Sequence, residues 1–258
     1  HAGNADVATL RAAGVTSWTL AVFGTSPRDI AAAAAQAAGS AAAKADGFAG
    51  LYLEGPFLAG WEGAAADAAQ LRDLLNLISA PVAAVVFAPE AVDRGEFPAS
   101  LTEMGLRAII GHTAAGYEEC RRAFESGAEG LCLPFLSMRP FHHRSPGPIG
   151  AAFESDAAVE VALGKGALDT AQARILARSF PASARPVYHP GRHPGAIAAG
   201  FPPDFAARAA RFTGMPPRGF LRAAAAVPHG GRFALFDAKL RPVAVADGAG
   251  GMFIREGV

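Results

Sequence analysis

Seven apolar runs of strand length recur along this chain, none alternating polar with apolar residues, and segments of helical length separate most of them. A strand that is apolar on both faces must be covered on both, and repeated strand–helix pairs supply that cover by laying helices over a parallel sheet. The runs predict strands near 16–23, 47–53, 83–88, 106–111, 130–135, 159–164 and 185–189. Helices are predicted over 29–45, 64–78, 117–126, 170–180 and 204–213; small residues precede the third, and Gly127 closes it. This order predicts an α/β fold, a closed or nearly closed (β/α) TIM-type barrel, with a doubly wound open sheet as the alternative.

After about residue 230 the pattern changes. RFALFD, RPVAVA and GMFIREG read as short strands without intervening helices, which predicts a small antiparallel addition. The chain is therefore read as a barrel over 1–230 and a short β segment over 231–258, with no long linker and no internal repeat.

At 258 residues the chain has the size of one large α/β domain. Its residues are 51% hydrophobic and 18% charged, the balance of a globular protein. The 23 basic residues match 23 acidic ones, so no basic excess recommends nucleic acid or an anionic membrane as a partner. Cys120 and Cys132 provide neither a disulfide framework nor a metal-ligand spacing, which suits a reducing, cytoplasmic setting. The Ala-rich stretch 30–45 contains Gln36, Ser40 and Lys44 and reads as a helix with a small-residue face, not a membrane span. No signal peptide is read at the start, and His1 in place of an initiator Met is read as processing or a missing N-terminal piece.

In a barrel, chemistry gathers at the C-terminal ends of the strands. Glu54 leaves the second run in GLYLEGPFL, His112 leaves the fourth, and His189 leaves the seventh. A carboxylate at the exit of a buried strand needs a partner, because desolvating it alone is costly. Each of these residues also has a plainer reading. Glu54 could sit in a buried ion pair or cap the next loop, and His112 could simply bond to Glu54. His189 and His193 lie in HPGRHPG, whose prolines and glycines suit a surface loop. Arg144 could form a salt bridge, Cys132 could be a small core residue, and His229 could stand in a turn before the final strands.

GLYLEGPFL, IIGHTAAGYEEC and SMRPFHHRSPGPIGAAF, in that order, resemble the N-acetylglucosamine-6-phosphate deacetylases of the amidohydrolase superfamily. The likeness runs from about Ala8 to the last strands. It implies a (β/α) barrel with a β-sandwich built from both chain ends, here with the first strand incomplete and the C-terminal strands as the sandwich remnant. It implies Glu54 and His112 as metal ligands, one divalent zinc or iron ion and otherwise no cofactor. The family's second metal histidine corresponds to Leu133, which cannot ligate, and Cys132 would replace it only through a one-residue shift that flips its side chain. His189 stands at or beside the position of the catalytic aspartate, where it could act as a general base. Arg144 matches the arginine that holds the substrate phosphate, with His142 and His143 beside it. Ala65, Leu136 and Ala167 replace polar substrate contacts, and the glycine-rich segment after the first strand is missing.

Three functions follow from this reading. The first is a deacetylase with a rearranged metal site, acting on the N-acetyl amide of an amino-sugar phosphate. The second is a metal-free enzyme using Glu54 and His112 as an acid/base pair on a phosphorylated or acidic sugar-like substrate. The third is a non-catalytic relative that binds a ligand or a partner. A homodimer is expected in each case.

Overall fold

The computed structural model describes residues 18–93, 95–132, 137–155 and 157–162, the single positions Val7, Ile175 and Ser179, and strands at 184–187, 225–229, 232–236, 242–246 and 252–254. Seven parallel strands pair in chain order: β1 (Trp18–Phe23), β2 (Phe48–Glu54), β3 (Val82–Phe87), β4 (Arg107–Ile110), β5 (Gly130–Cys132), β6 (Ala158–Ala162) and β7 (Ala184–Val187). A doubly wound sheet would carry its first strand in the interior; here β1 stands at one end of the order, as successive βα units produce. Four more strands, β8 (Ala225–His229), β9 (Arg232–Phe236), β10 (Pro242–Ala246) and β11 (Met252–Ile254), form a separate antiparallel sheet. This sheet begins ahead of residue 231, and His229 is the last residue of β8, in register with Arg232.

The period of two along each strand sorts side chains into two buried clusters. Leu20, Leu51, Leu53, Val85, Phe87 and Ile110 belong to a large core that includes residues of the helices. The alternate positions Tyr52, Ala84, Val86, Ile109 and Cys132 form a second, smaller cluster with Leu58. Burial on both faces explains why the runs carry no polar alternation. Fully burying a side chain such as Leu51 or Phe87 contributes about 1.5–3 kcal/mol.

Helices α1 (Pro27–Ala38), α2 (Ala41–Lys44), α3 (Ala68–Asn76), α4 (Phe97–Glu103), α5 (Tyr117–Glu125) and α6 (Gly147–Glu154) fill the connections. The single helix expected over 29–45 is two. The Ser26 side chain accepts from Asp29 N at 3.2 Å and opens α1, which ends at Gly39; the Ser40 side chain then accepts from Ala43 N at 3.2 Å and opens α2. The helix expected over 64–78 starts later, because Asp67 and Gln70 form a reciprocal capping box at 2.9 and 3.2 Å. Two short helices, α4 and α6, have no counterpart in the sequence reading. Both carry proline in the first turn, where its missing N–H costs nothing, so residues read as breakers are starters. The helix expected over 204–213, and most of that over 170–180, lie outside the described residues. No helix among the described residues is long and apolar enough to cross a membrane.

Candidate functional site

Glu54 is the last residue of β2, in register with Phe23 of β1 and Val86 of β3. Gly55 follows with φ +111°, and a Cβ there would meet the Gly24 carbonyl oxygen at 2.2 Å, so only glycine lets the two loops pass. Gly24 N donates to the Glu54 carbonyl at 3.3 Å, holding the strand ends together.

His112 is placed by the end of β4. Gly111 N donates to Phe87 O at 3.0 Å, and His112 itself adopts a left-handed backbone with φ +45°. Such a conformation is costly for a residue with a Cβ and persists where the surroundings impose it. Ala59 N donates to the His112 carbonyl at 2.9 Å, tying the loop after β2 to the loop after β4. The result is a direct contact, His112 Nε2 to Glu54 Oε2 at 3.2 Å. The side chains are 28% and 16% exposed, so the pair is partly screened yet reachable from solvent. The His112 ring also tilts against Phe23, with centroids 6.1 Å apart.

Glu90, in the 3₁₀ turn Pro89–Ala91 after β3, was not among the residues singled out from the sequence. Its carboxylate accepts from Thr113 Oγ1 and from Ala114 N, both at 2.5 Å. Thr113 Oγ1 in turn accepts from Ala115 N at 2.9 Å. Thr113 also forms a parallel bridge with Met138, joining the loop after β4 to the segment after β5. The usable sequence signal was the acidic residue after a strand in FAPE, which resembles Glu54 in its setting.

These loops enclose an open pocket of about 490 Å³. Phe23 and Thr25 reach it from the end of β1, and Leu58 and Ala59 from the loop after β2. His112, Thr113 and Ala114 form one wall; Ser137, Met138 and Arg139 form another. Ser137, like His112, has a left-handed backbone, with φ +52°.

The segment carrying Arg144 is an exposed turn. His142 and Ser145 exchange backbone hydrogen bonds at 3.3 and 3.0 Å, Arg144 N donates to His142 Nδ1 at 3.2 Å, and the rings of His142 and His143 lie 4.1 Å apart. Arg144 makes no ion pair among the described residues. It is Arg139, not Arg144, that borders the pocket at His112.

In the smaller cluster, Tyr52 OH donates to Glu160 Oε2 at 2.6 Å, and Arg107 Nη1 lies 3.8 Å from Glu160 Oε1. Burial, with Cys132 and Glu160 nearby, holds the Tyr52 hydroxyl well above its ordinary range. Burial and Glu160 likewise push up the Cys132 thiol, which is 4% exposed and sits as a small core residue. Ala65 is exposed, in the loop before α3. His189, Leu133, Leu136 and Ala167 lie outside the described residues, and no group of three metal-binding side chains forms among the described ones.

No family model matches the chain. Among curated proteins it is 32% identical over 110 residues to the N-acetylgalactosamine-6-phosphate deacetylase of Escherichia coli O157:H7, covering 40% of this chain and 29% of that protein. It is 30% identical over 148 residues to the N-acetylglucosamine-6-phosphate deacetylase of Vibrio furnissii, covering 54% and 37%. Over these stretches the chain is similar to amino-sugar-6-phosphate deacetylases. The matches span about a third of those relatives' length. Its fold is that of the Mycobacterium smegmatis N-acetyl-D-glucosamine-6-phosphate deacetylase, with a TM-score of 0.68 at 22% identity over 98% of this chain and 81% of that one. A variant of that enzyme in complex with N-acetyl-D-glucosamine-6-phosphate gives a TM-score of 0.70 at 20% identity, covering 98% and 82%.

Proposed function

We propose that this chain is a deacetylase-family barrel that binds an N-acetylated amino-sugar phosphate, or a related acidic sugar, where Glu54 meets His112, on a site lacking part of the family's metal centre. The Glu54–His112 contact carries the reading. Two donors of one tetrahedral ion, each about 2.0–2.1 Å from it, stand about 3.3 Å from each other, so a separation of 3.2 Å suits a shared divalent ion as well as a hydrogen bond. A catalytic zinc site needs three protein ligands, however, and the position that would supply the third is Leu133. The donor set therefore does not fit the complete centre.

The chain's own residues can still bind and orient. Glu54 accepts from His112 Nε2–H and fixes the ring, leaving a positioned imidazole at the edge of the pocket. Arg144 and His143 are proposed to hold the phosphate, and His189 to stand where the family's aspartate would. The hydrogen bond itself supports a second reading, a metal-free acid/base pair acting on the same class of ligand. The barrel over 1–230, the β segment over 231–258, the incomplete first strand, a cytoplasmic homodimer and the absence of nucleic-acid or membrane partners belong to the same proposal.

Calorimetric titration with N-acetylglucosamine 6-phosphate, alongside acetate release and elemental analysis of the same sample, tests it. The expected result is saturable binding with well under one equivalent of zinc or iron and negligible acetate. Absence of binding overturns the ligand assignment. A full equivalent of metal with steady acetate release overturns the incomplete centre.

A further inference from the structure

We infer that Phe23 is the stacking platform of the pocket beside His112, the surface on which a ligand lays the C–H face of a sugar ring. The inference rests on the proposed sugar-phosphate reading and deepens it, because it concerns how the pocket holds the ring, not the phosphate. Along β1, Leu20 and Val22 belong to the larger core, and Ala21 packs against the smaller cluster. The period of two turns Phe23 to the side of Ala21, at the strand end where Glu54 is its register partner. There Phe23 is 51% exposed and lines the pocket. A single exposed apolar side chain on an outer surface needs no explanation. One that lines a concave site beside polar groups offers a guest apolar area to cover.

The platform is placed before any ligand arrives. Strand pairing fixes the Phe23 backbone, and its ring lies against that of His112 with centroids 6.1 Å apart and planes tilted by 55°. A phenyl ring has only two side-chain torsions to restrict, so its contact area comes at a small entropic cost. The rest of the wall divides by polarity. Leu58 and Met138 extend the apolar part; His112, Thr113 and Ser137 form a polar part. The Glu54 carboxylate holds His112, and the Glu90 carboxylate holds Thr113 and Ala114, so both acids are engaged with the wall itself. A pyranose matches this division, with hydroxyls around its rim and C–H bonds across its faces. The negative face of an aromatic ring attracts the weakly positive C–H hydrogens, which favours such a guest over a bare anion.

The test titrates wild type, Phe23→Ala, Phe23→Leu and Phe23→Tyr with N-acetylglucosamine 6-phosphate and follows the sugar protons by NMR. Phe23→Ala is expected to weaken the sugar phosphate by about tenfold, Phe23→Leu by less, and Phe23→Tyr to stay near wild type. Sugar C–H resonances should shift upfield on binding to wild type and Phe23→Tyr, from the ring current of the aromatic face, and lose that shift in Phe23→Leu. A merely structural role would not produce this signature. Unchanged affinity in Phe23→Ala, or an upfield shift that survives in Phe23→Leu, overturns the inference and leaves the broader reading standing. If wild type does not bind the sugar phosphate, the broader reading fails and the inference falls with it. All three variants change an exposed residue and should keep the wild-type melting temperature.

Discussion

Glu54 Oε2 and His112 Nε2 stand 3.2 Å apart although the residues are separated by 58 positions in the chain. That spacing suits two ligands of one ion as well as a hydrogen bond, and under the proposed reading the missing donor position is Leu133. Leu133→His is expected to raise bound zinc from well under one equivalent per chain toward one, and Glu54→Ala in that background to abolish the gain. Elemental analysis after dialysis reads both outcomes. No increase in zinc would mean that position 133 does not face the pair.

Glu90 acts on the site from outside it. Its carboxylate accepts from Thr113 Oγ1 and Ala114 N, and Glu90 itself is exposed, so Glu90→Ala should cost only about 1 kcal/mol of global stability. The larger effect is expected on ligand affinity, because the loop behind His112 loses its anchor. Urea unfolding and calorimetric titration together separate the two. A stability loss of several kcal/mol with intact affinity would contradict the positioning role.

Tyr52→Phe removes a buried hydroxyl from Glu160 without creating a cavity. The carboxylate loses a donor at 2.6 Å, and the expected cost is about 1–3 kcal/mol, visible as a lower urea midpoint at unchanged slope. A neutral result would show that Glu160 is satisfied by its other contacts.

Cys120 is fully buried in α5, and burial, with Glu90 and Glu119 adding, pushes its thiol up to about 12 from 9.0. A raised folded-state pKa stabilises the fold fully below the unfolded value and ceases to do so as pH rises through the folded one. Stability should therefore decline from about pH 9 toward pH 12, with Tyr52 and Cys132 acting in the same direction. Urea midpoints measured from pH 7 to 10.5 should fall less steeply for Cys120→Ala than for wild type. Parallel curves would exclude a contribution from this thiol.

The strand plan was legible because burial on both faces of β2 to β4 leaves unbroken apolar runs, and β1 to β7 all fall within or beside the runs read from the sequence. Short elements were less visible. α4 and α6 carry proline in their first turns and have too few turns for a period to emerge, and the Gly39–Ser40 break inside the Ala-rich stretch shows only as a cap. At the site, Glu54 and His112 could be picked out because ionisable residues at strand exits stand out against apolar neighbours. Glu90 stands at a strand exit as well, in FAPE, but its role depends on which loops meet, a matter of register across distant segments. Tyr52 and Glu160 are 108 positions apart and meet only once β2 and β6 are placed in one sheet.

The bridge between Thr113 and Met138 makes the two walls of the pocket a single structural piece. A loop taken from one of the deacetylases it resembles and grafted after β4 alone would arrive without its mate after β5, and the reverse graft would fail in the same way. Efforts to reshape this pocket should therefore transplant residues 111–116 and 137–147 together, with Glu90 as the peg on which both hang.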